Sequence, residues 1–199
     1  MGIPRVNLTP HSESVISSPS IYPVSVADLK GQLRVTDNDE DAMLAGYIKT
    51  ATKELESLTR RKFLQYTIDE VYDHWPVTTT TPAIIHWAPL SSITHIKYVD
   101  TDGNEQTWSS ANYTVDTYSE PGRVALAYNG DIPSTQTGII QVVTIRAVVG
   151  YGTTAADTPQ LAKDWICAYC QAWYDSGRPP DECDLMALRN LAGPLQYML

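Results

Sequence analysis

The sequence is poor in cysteine, in phenylalanine and in uninterrupted apolar runs. Only three cysteines and one phenylalanine occur among its 199 residues. An odd number of cysteines argues against a disulfide-stapled secreted fold, and we expect a reducing cytoplasm to keep them as thiols. No stretch approaches the roughly 20 apolar residues that a membrane-spanning helix needs. Residues 1–20 are polar and punctuated by proline, so we expect no signal peptide and folding in a cytoplasm.

Positive charge is also scarce. Lysine and arginine total 14 against 23 aspartates and glutamates, which gives a formal net charge of −9. A protein that grips nucleic-acid phosphates needs a basic face, so this balance argues against that task, although nucleic acid could pass nearby without being held. The 43% of hydrophobic residues is enough for a folded core, as one compact unit or two closely packed ones.

Motifs that carry chemistry are missing as well. There is no G-x-S-x-G elbow and no glycine-rich phosphate loop, and the four histidines are scattered. Cys167 and Cys170 form a C-x-x-C in the middle of a predicted helix, which favours buried structural thiols over a redox or zinc site. The acidic residues around Gly103 lack the spacing of a calcium-binding loop and predict a hairpin turn. We therefore predict no catalytic residue, no cofactor, no metal site and no enzymatic activity.

Residues 1–22 have neither helical nor strand periodicity and predict a flexible arm. Prolines at positions 4, 10 and 19 interrupt it, with serines between them. Such an arm either stays disordered, as unanchored chain ends do, or orders against a neighbouring subunit. The residues alone leave both alternatives open.

Two helices are predicted next. Ser25 is placed to cap a helix over Val26–Leu33. Asp37 and Glu40 have the spacing of a capping box for a second helix, whose apolar residues recur every three or four positions. Its C-terminal end is basic, which suits the helix dipole, so we expect a solvated helix end rather than a DNA contact. The apolar stripe is Leu44, Tyr47, Ile48, Ala51, Leu55 and Leu58, and the basic residues are Lys53, Arg60, Arg61 and Lys62.

From residue 63 to residue 149 the pattern is that of strands. Ile139–Val149 is mostly apolar on both faces and is predicted to be the longest strand, central in its sheet. Earlier short strands are paired through turns rich in glycine, proline and aspartate. In the first pair, Ile93–Val99 turns at Asp100–Gly103 into a partner strand that runs to Trp108. In the second, Tyr113–Asp116 pairs with Arg123–Ala127, and Glu120-Pro121-Gly122 forms the turn.

Helices return near the C-terminus. One is predicted from Pro159 to Ser176, where Gly177 ends it, and another covers Asp181–Leu191, followed by the apolar tail Leu195–Leu199. The order indicates an α+β fold, in which N- and C-terminal helices form a small bundle and a β-rich antiparallel region is inserted between them. The predicted regions are a flexible arm 1–22, helices 23–62, a β-rich region 63–149, and helices with a tail 150–199, with 23–199 as one structural unit.

The aromatic residues are biased towards rings that carry a polar group. Five tryptophans and twelve tyrosines occur with the single phenylalanine. Such rings suit interfaces, where one edge is apolar and the other finds a hydrogen bond. Trp75, Trp87 and Trp108 lie near predicted turns, where complete burial is difficult, so we expect them at an interface.

Three blocks of the sequence resemble the head–tail connector, or head-completion adaptor, family of tailed bacteriophages. Residues 23–62 resemble the family's opening P-V-(S/T) segment, its acidic run and its I-x-x-A-x-x-x-x-E-x-x-T-x-R helix. Residues 89–113 are similar to its P-L-x-S-V-x-x-I-x-Y-x-D-x-D-G hairpin, and residues 149–174 to its G-Y-G sheet end and W-Y helix end. The sequence departs from the family in its first twenty or so residues, and Asp175–Arg178 replaces the usual E-x-R.

The resemblance implies a ring, usually of twelve copies, in the virion neck at the head–tail junction. One face of the ring would dock on the portal protein and the other on a tail or neck protein. Double-stranded DNA would pass through the lumen without specific binding, which suits an acidic subunit. Assembly would take place in the host bacterial cytoplasm, and no membrane partner is implied.

For a subunit of such a ring we predict two interaction surfaces. The apolar tail, through Leu195, Tyr197, Met198 and Leu199, is predicted to dock on the portal, although packing beside Trp165 and Trp173 is an alternative. Another surface, between subunits or against the neck, is predicted to contain Trp75, Trp87, Asp100, Asp102, Gly103 and Trp108. The main rival function is a β-rich ligand- or carbohydrate-binding module on a helical base, favoured if these tryptophans are exposed on one face. A hydrolase of unknown type is the third candidate function and is less favoured than the binding module.

Overall fold

A computed structural model of the chain describes residue 10 and residues 12–195. Over these residues it contains four α-helices and eight β-strands, with antiparallel pairing. The chain divides into two compact units. The sheet unit contains the residues up to Ser18 and Tyr66–Gly150, and the helical unit contains Pro19–Gln65 and the residues from Tyr151 onward. The predicted mixture of helices and antiparallel sheet is confirmed, and the predicted β-rich region 63–149 nearly coincides with the main segment of the sheet unit.

The sheet unit contains a five-stranded sheet in the order β1-β2-β8-β4-β5 and a three-stranded sheet in the order β3-β7-β6. Both predicted hairpins are present, since β4 pairs with β5 and β6 pairs with β7. The strands are β1 Ser12–Ser17, β2 Tyr66–Tyr72, β3 Ala83–Ile84, β4 Leu90–Val99, β5 Glu105–Trp108, β6 Tyr113–Asp116, β7 Arg123–Leu126 and β8 Val143–Val149.

Strand β8 is the central strand of the larger sheet, as its apolar character predicts. It pairs along its whole length with β2 on one side and with β4 on the other. Its alternate residues Val143, Ile145, Ala147 and Val149 are fully buried, and they form the middle of the core of the sheet unit. The prediction was wrong about its length, because the strand begins only at Val143 and the longest strand is β4.

The reason for the late start of β8 is a local break in the backbone. Gln141 has a left-handed φ of 60°, and its N–H donates to the Oδ1 atom of Asp73 at 2.9 Å instead of to a neighbouring strand. Ile139 and Ile140 lie before this break and are 38% and 67% exposed. The apolar run in the sequence is therefore longer than the strand and begins before it.

Part of the predicted N-terminal arm is a strand. Ser12–Ser17 forms β1, which pairs antiparallel with β2 of the same chain at the edge of the larger sheet. The prediction of an arm without regular structure is thus corrected for these residues, because the free edge of β2 supplies the backbone partners that the sequence pattern does not reveal. Residues 1–9 and His11 lie outside the described residues.

The helical unit contains α1 Val26–Leu33, α2 Asp41–Thr59, α3 Gln160–Ser176 and α4 Glu182–Ala192. One apolar core contains buried residues from all four, including Leu29, Leu55, Trp165 and Leu188. Gly177 adopts a left-handed φ of 65° and its N–H donates to the Trp173 carbonyl, so it ends α3 as predicted. Within the described part of the chain, no helix combines the length and apolarity needed to cross a bilayer.

The helix caps differ from the prediction in one case. Ser25 and Asp28 form a reciprocal capping box at the start of α1. Asp37 and Glu40, in contrast, do not form the predicted box for α2, which begins at Asp41, and the N-cap residue Glu40 makes no side-chain capping hydrogen bond. The Glu40 carboxylate instead accepts from the Tyr174 hydroxyl at 2.9 Å. A tertiary contact therefore replaces the local one.

The basic end of α2 is also less solvated than predicted. Arg61 is 7% exposed and Lys62 is 9% exposed. The Lys62 Nζ atom forms an ion pair of 2.8 Å with Glu56, which is itself buried. Burial is the largest influence on the pKa of Glu56 and raises it, while Lys62 opposes that effect. These two basic residues act inside the helical unit rather than on its surface.

The C-x-x-C thiols lie in α3 and are buried, as predicted, whereas Cys183 is exposed. Burial raises the pKa of Cys167 to about 11 and that of Cys170 to about 12. The neighbouring Asp164 and Asp28 add to the shift at Cys167, because negative charge disfavours a thiolate. Both groups are therefore protonated and unreactive at neutral pH.

The capping geometry can be tested by substitution. Ser25→Ala removes the acceptor of the Asp28 N–H and should lower the free energy of unfolding by about 1 kcal/mol. Asp37→Ala is the matched control, since the Asp37 side chain only accepts an exposed N–H of Asp39 at 3.3 Å, and it should have a smaller effect. Urea unfolding followed by circular dichroism measures both. Equal losses of stability would contradict the cap assignment.

Thiol labelling tests the burial of the cysteines. In the native protein one thiol, Cys183, should react rapidly with an aromatic disulfide reagent at pH 8, and all three should react after unfolding in guanidinium. A Cys183→Ser variant should show almost no rapid reaction in the native state. Fast labelling of Cys167 or Cys170 in that variant would show that the C-x-x-C is an accessible site.

Candidate interaction surfaces

The predicted portal-docking tail is described only at its first residue. Leu195 is 7% exposed and belongs to the same core as Trp165 and Leu188. Its carbonyl accepts a hydrogen bond of 2.5 Å from the Nε atom of Arg61. Leu195 therefore packs within the helical unit, as in the alternative of intramolecular packing. Tyr197, Met198 and Leu199 lie outside the described residues.

Arg61 is the residue that fixes this part of the chain. Besides the Leu195 carbonyl it contacts the Tyr151 hydroxyl, at 2.8 Å from Nη1. The Tyr151 ring in turn is stacked parallel to that of Phe63, with 6.2 Å between the ring centroids. The guanidinium thus connects the end of α2 to the segment that follows α4. Its basic character had suggested only a solvated helix end.

The three tryptophans predicted at an interface differ in their surroundings. Trp108 is 2% exposed, and its indole N–H donates to the Asp131 carbonyl at 2.8 Å. Trp75 is half-buried, donates to the Pro133 carbonyl at 2.8 Å, and packs on Trp108 with 4.7 Å between ring centroids. Trp108 is buried despite its position near a turn, contrary to the prediction, because the 131–133 loop itself supplies the acceptors. That ring fills the core of its own unit.

Trp87 is the third of these residues and is also half-buried. Its indole N–H donates to a carboxylate oxygen of Glu13 in β1 at 2.9 Å. None of the three rings is thus an exposed platform in the described structure. The rival function of a ligand-binding module loses the observation that would have favoured it.

The β4–β5 hairpin presents the predicted acidic turn to solvent. Asp102 and Gly103 are exposed, and Asp100 is partly exposed. The Asp100 carboxylate accepts the N–H groups of Asp102 and Asn104, at 3.0 and 2.9 Å, and the Gln106 side-chain amide at 2.9 Å. The hydrogen bond from Asn104 is the largest influence on the pKa of Asp100 and lowers it. The turn is therefore rigid, and its acidic group is used to hold its own backbone.

A second rigid turn, between β6 and β7, was not among the predicted surface residues. It carries Tyr118, which is 99% exposed. The Asp116 carboxylate accepts the N–H groups of Tyr118 and Ser119 and binds Arg123 through two hydrogen bonds. The Arg123 contact holds the pKa of Asp116 well below its usual range. A large ring held in solvent by a pre-organised turn is a typical anchor of a protein interface.

The same turn is fixed to the strands behind it. The Gly122 carbonyl accepts the Ile85 N–H at 2.9 Å, and a Cβ atom at Gly122 would overlap the side chain of Leu90. Other exposed apolar residues of the sheet unit are found in β1, in the loop after β7 and before β8. They are Val15, Ile16, Tyr128, Ile139 and Ile140. The sequence identifies Glu120-Pro121-Gly122 as a turn but carries no signal for the exposure of the tyrosine beside it.

Buried polar groups in the sheet unit hold one another. Glu70 in β2 is fully buried, and its carboxylate accepts the Tyr72 hydroxyl and the His86 N–H, both at 2.8 Å. Burial raises the pKa of Tyr72, and the Glu70 charge adds to the shift. A carboxylate without access to solvent cannot act on a substrate, so this group has a structural role. Among the described residues, no cluster of three or more histidine, cysteine or acidic side chains is arranged to hold a metal ion.

Comparison with known proteins gives one family match. Residues 23–87 match the family described as phage gp6-like head-tail connector protein. This segment contains α1, α2, β2 and β3. It includes the first of the three blocks from which the resemblance was stated, and that resemblance is confirmed. No curated protein sequence matches the chain significantly.

Solved structures match over a much larger part of the chain. A chain from the neck of an empty GTA particle, computed with C6 symmetry, is 18% identical with a TM-score of 0.77. A chain from the neck of a native GTA particle, computed with C12 symmetry, is 16% identical with a TM-score of 0.76. A chain from the virion of a native gene transfer agent particle is 18% identical with a TM-score of 0.73. Each match covers 94% of this chain and 96% of the other.

These matches extend through both units, whereas the family match covers only about a third of the chain. At such low identity the structural likeness establishes the fold. Residues 23–87, which contain α1, α2, β2 and β3, therefore match the phage head–tail connector family, and the chain has the fold of a gene transfer agent neck protein over nearly its whole length.

Proposed function

We propose that the chain is a structural head–tail connector of a tailed phage or phage-like particle. It would form a ring between the portal and the tail or neck, through which double-stranded DNA passes. The observation that carries this proposal is the likeness to neck chains across 94% of the sequence, joined to the connector-family match at residues 23–87. The helices would then act together as a bundle that supports the ring.

Symmetry supports the ring. The similar neck structures were computed with C6 and C12 symmetry. A closed ring repeats one heterologous contact, so each subunit needs two different complementary faces rather than one self-complementary patch. We propose twelve copies for this chain. The rigid, exposed turns at Asp100–Gly103 and at Tyr118 are suited to such contacts, since little conformational freedom is lost when they bind.

Charge supports the passage of DNA. Each subunit has a formal net charge of −9, so a ring concentrates negative charge around its axis. Phosphates entering such a lumen are repelled from the wall rather than retained. The proposed role needs no catalysis, cofactor or metal, and it places the protein in the virion neck after assembly in the host cytoplasm.

Mass measurement of the purified protein, alone and with the portal ring of the same particle, tests this function. The mixture should contain a complex whose mass is that of the portal ring plus twelve copies of this 22.0 kDa chain. Particles made without the protein should contain filled heads that lack tails. Absence of binding to the portal, together with normal tailed particles, would exclude the proposal.

The role of the tail can be tested separately. Deletion of residues 196–199 removes Tyr197, Met198 and Leu199 but retains Leu195 and its contact with Arg61. We expect unchanged thermal stability and lost co-sedimentation with portal rings, because the deleted side chains are proposed to dock there. Deletion of 194–199 is the comparison, and loss of the buried Leu195 should cost about 2 kcal/mol of stability. Normal portal binding after the shorter deletion would reject the docking role.

A further inference from the structure

Strand β1 is held to its sheet by its backbone rather than by its side chains. It lies at the outer edge, and its only strand partner within the described chain is β2. All six of its residues are exposed. One side-chain link is the hydrogen bond between the Glu13 carboxylate and the indole N–H of the half-buried Trp87. A strand that buries no side chain gains little from the hydrophobic effect.

The residues of β1 that face β2 are poorly matched to it. Glu13 lies directly opposite Glu70, so two carboxyl side chains share one side of the sheet. Val15 lies opposite Ile68, which is 1% exposed, yet Val15 itself remains 56% exposed. Ile16 is 48% exposed. In the single chain, the apolar residues of β1 are thus left uncovered at a sheet edge, where proteins usually avoid them.

The connection after β1 is short and has no regular structure. Val24 is 5% exposed in the core of the helical unit, which fixes the chain at that point. Residues 18–23 between β1 and this anchor contain neither helix nor strand and include Pro19 and Pro23. Fully extended, they span at most about 20 Å. A change in the path of this segment alone would redirect β1 without unfolding either core.

We propose that in the assembled ring β1 pairs with β2 of the neighbouring copy. The structure itself shows which strand fits the β2 edge, since β1 occupies it in a defined antiparallel register. Every copy offers the same strand and the same edge, so an exchanged strand makes the same backbone hydrogen bonds as an unexchanged one. Neighbouring copies are held at high effective concentration in a ring, which favours the exchange. The inference rests on the proposed ring.

Exchange gives one clear structural consequence. The residues around β1 would become part of the contact between subunits. The strand would link each copy to the next around the ring. The N-terminal arm would then contribute to closure of the ring rather than to the stability of the single chain.

Disulfide trapping tests the exchange. Ser12 and Val71 are directly opposite in the register, where paired residues lie about 5 Å apart between Cα atoms, within the range of a disulfide. The variant S12C/V71C/C183S is assembled with the portal, oxidised and separated by non-reducing electrophoresis. We expect most chains in covalent multimers. The control variants S12C/C183S and V71C/C183S each carry one introduced cysteine, so a disulfide between two such chains joins position 12 to 12 or 71 to 71. Peptide mass spectrometry distinguishes these links from a 12–71 link.

The outcomes separate this inference from the function on which it rests. Rings of the expected mass that contain only monomers with an internal 12–71 disulfide would overturn the exchange and leave the connector function intact. Failure of the unmodified chain to form a ring would overturn both. If S12C/V71C/C183S does not fold, the pair Ser17→Cys and Thr67→Cys occupies the next usable register position. Covalent multimers from either pair support the exchange.

Discussion

The pairing of β8 with β2 and β4 is the constraint on which the sheet unit depends. All seven residues of β8 pair with β2 and with β4, the latter pairing including two register shifts. In the described chain β8 is the last strand in sequence order. The inward residues of β8 are fully buried, so the core is incomplete until this strand is inserted. The hairpins, turns and edge strands that carry the proposed contacts are positioned by that central strand. The position of each turn is therefore a property of the whole unit, whereas its rigidity comes from hydrogen bonds within the turn itself.

Local signals predicted the elements well where local physics decides them. The bounds of α1 and the end of α3 at Gly177 follow from capping and glycine preferences, and both hairpins follow from their turn residues. The failures have tertiary causes. The Glu40 carboxylate binds Tyr174 instead of capping α2, Gln141 breaks the apolar run before β8, and β1 needs a partner fifty or more residues away. No window of sequence contains these partners.

The candidate surfaces were harder to predict than the fold. Composition shows an excess of aromatic rings that carry a polar group, but it does not say which of them face outward. Trp108 satisfies its N–H within its own unit, while Tyr118 is held in solvent by the hydrogen bonds of Asp116. Exposure of a ring depends on which loop carbonyls lie nearby, and this is a property of the folded chain. The resemblance to connectors, in contrast, depended on the order of short blocks and was readable from the sequence.

The contact between Arg61 and the Leu195 carbonyl has a practical meaning for imaging. Because the guanidinium holds that carbonyl at 2.5 Å, a fluorescent or electron-dense group attached just beyond residue 195 would start from a known point beside the end of α2. In the proposed ring, the average position of this group would then mark one corner of the helical unit. Viewed along the ring axis, such a marker would reveal which way each subunit points, even at a resolution too low to trace its chain.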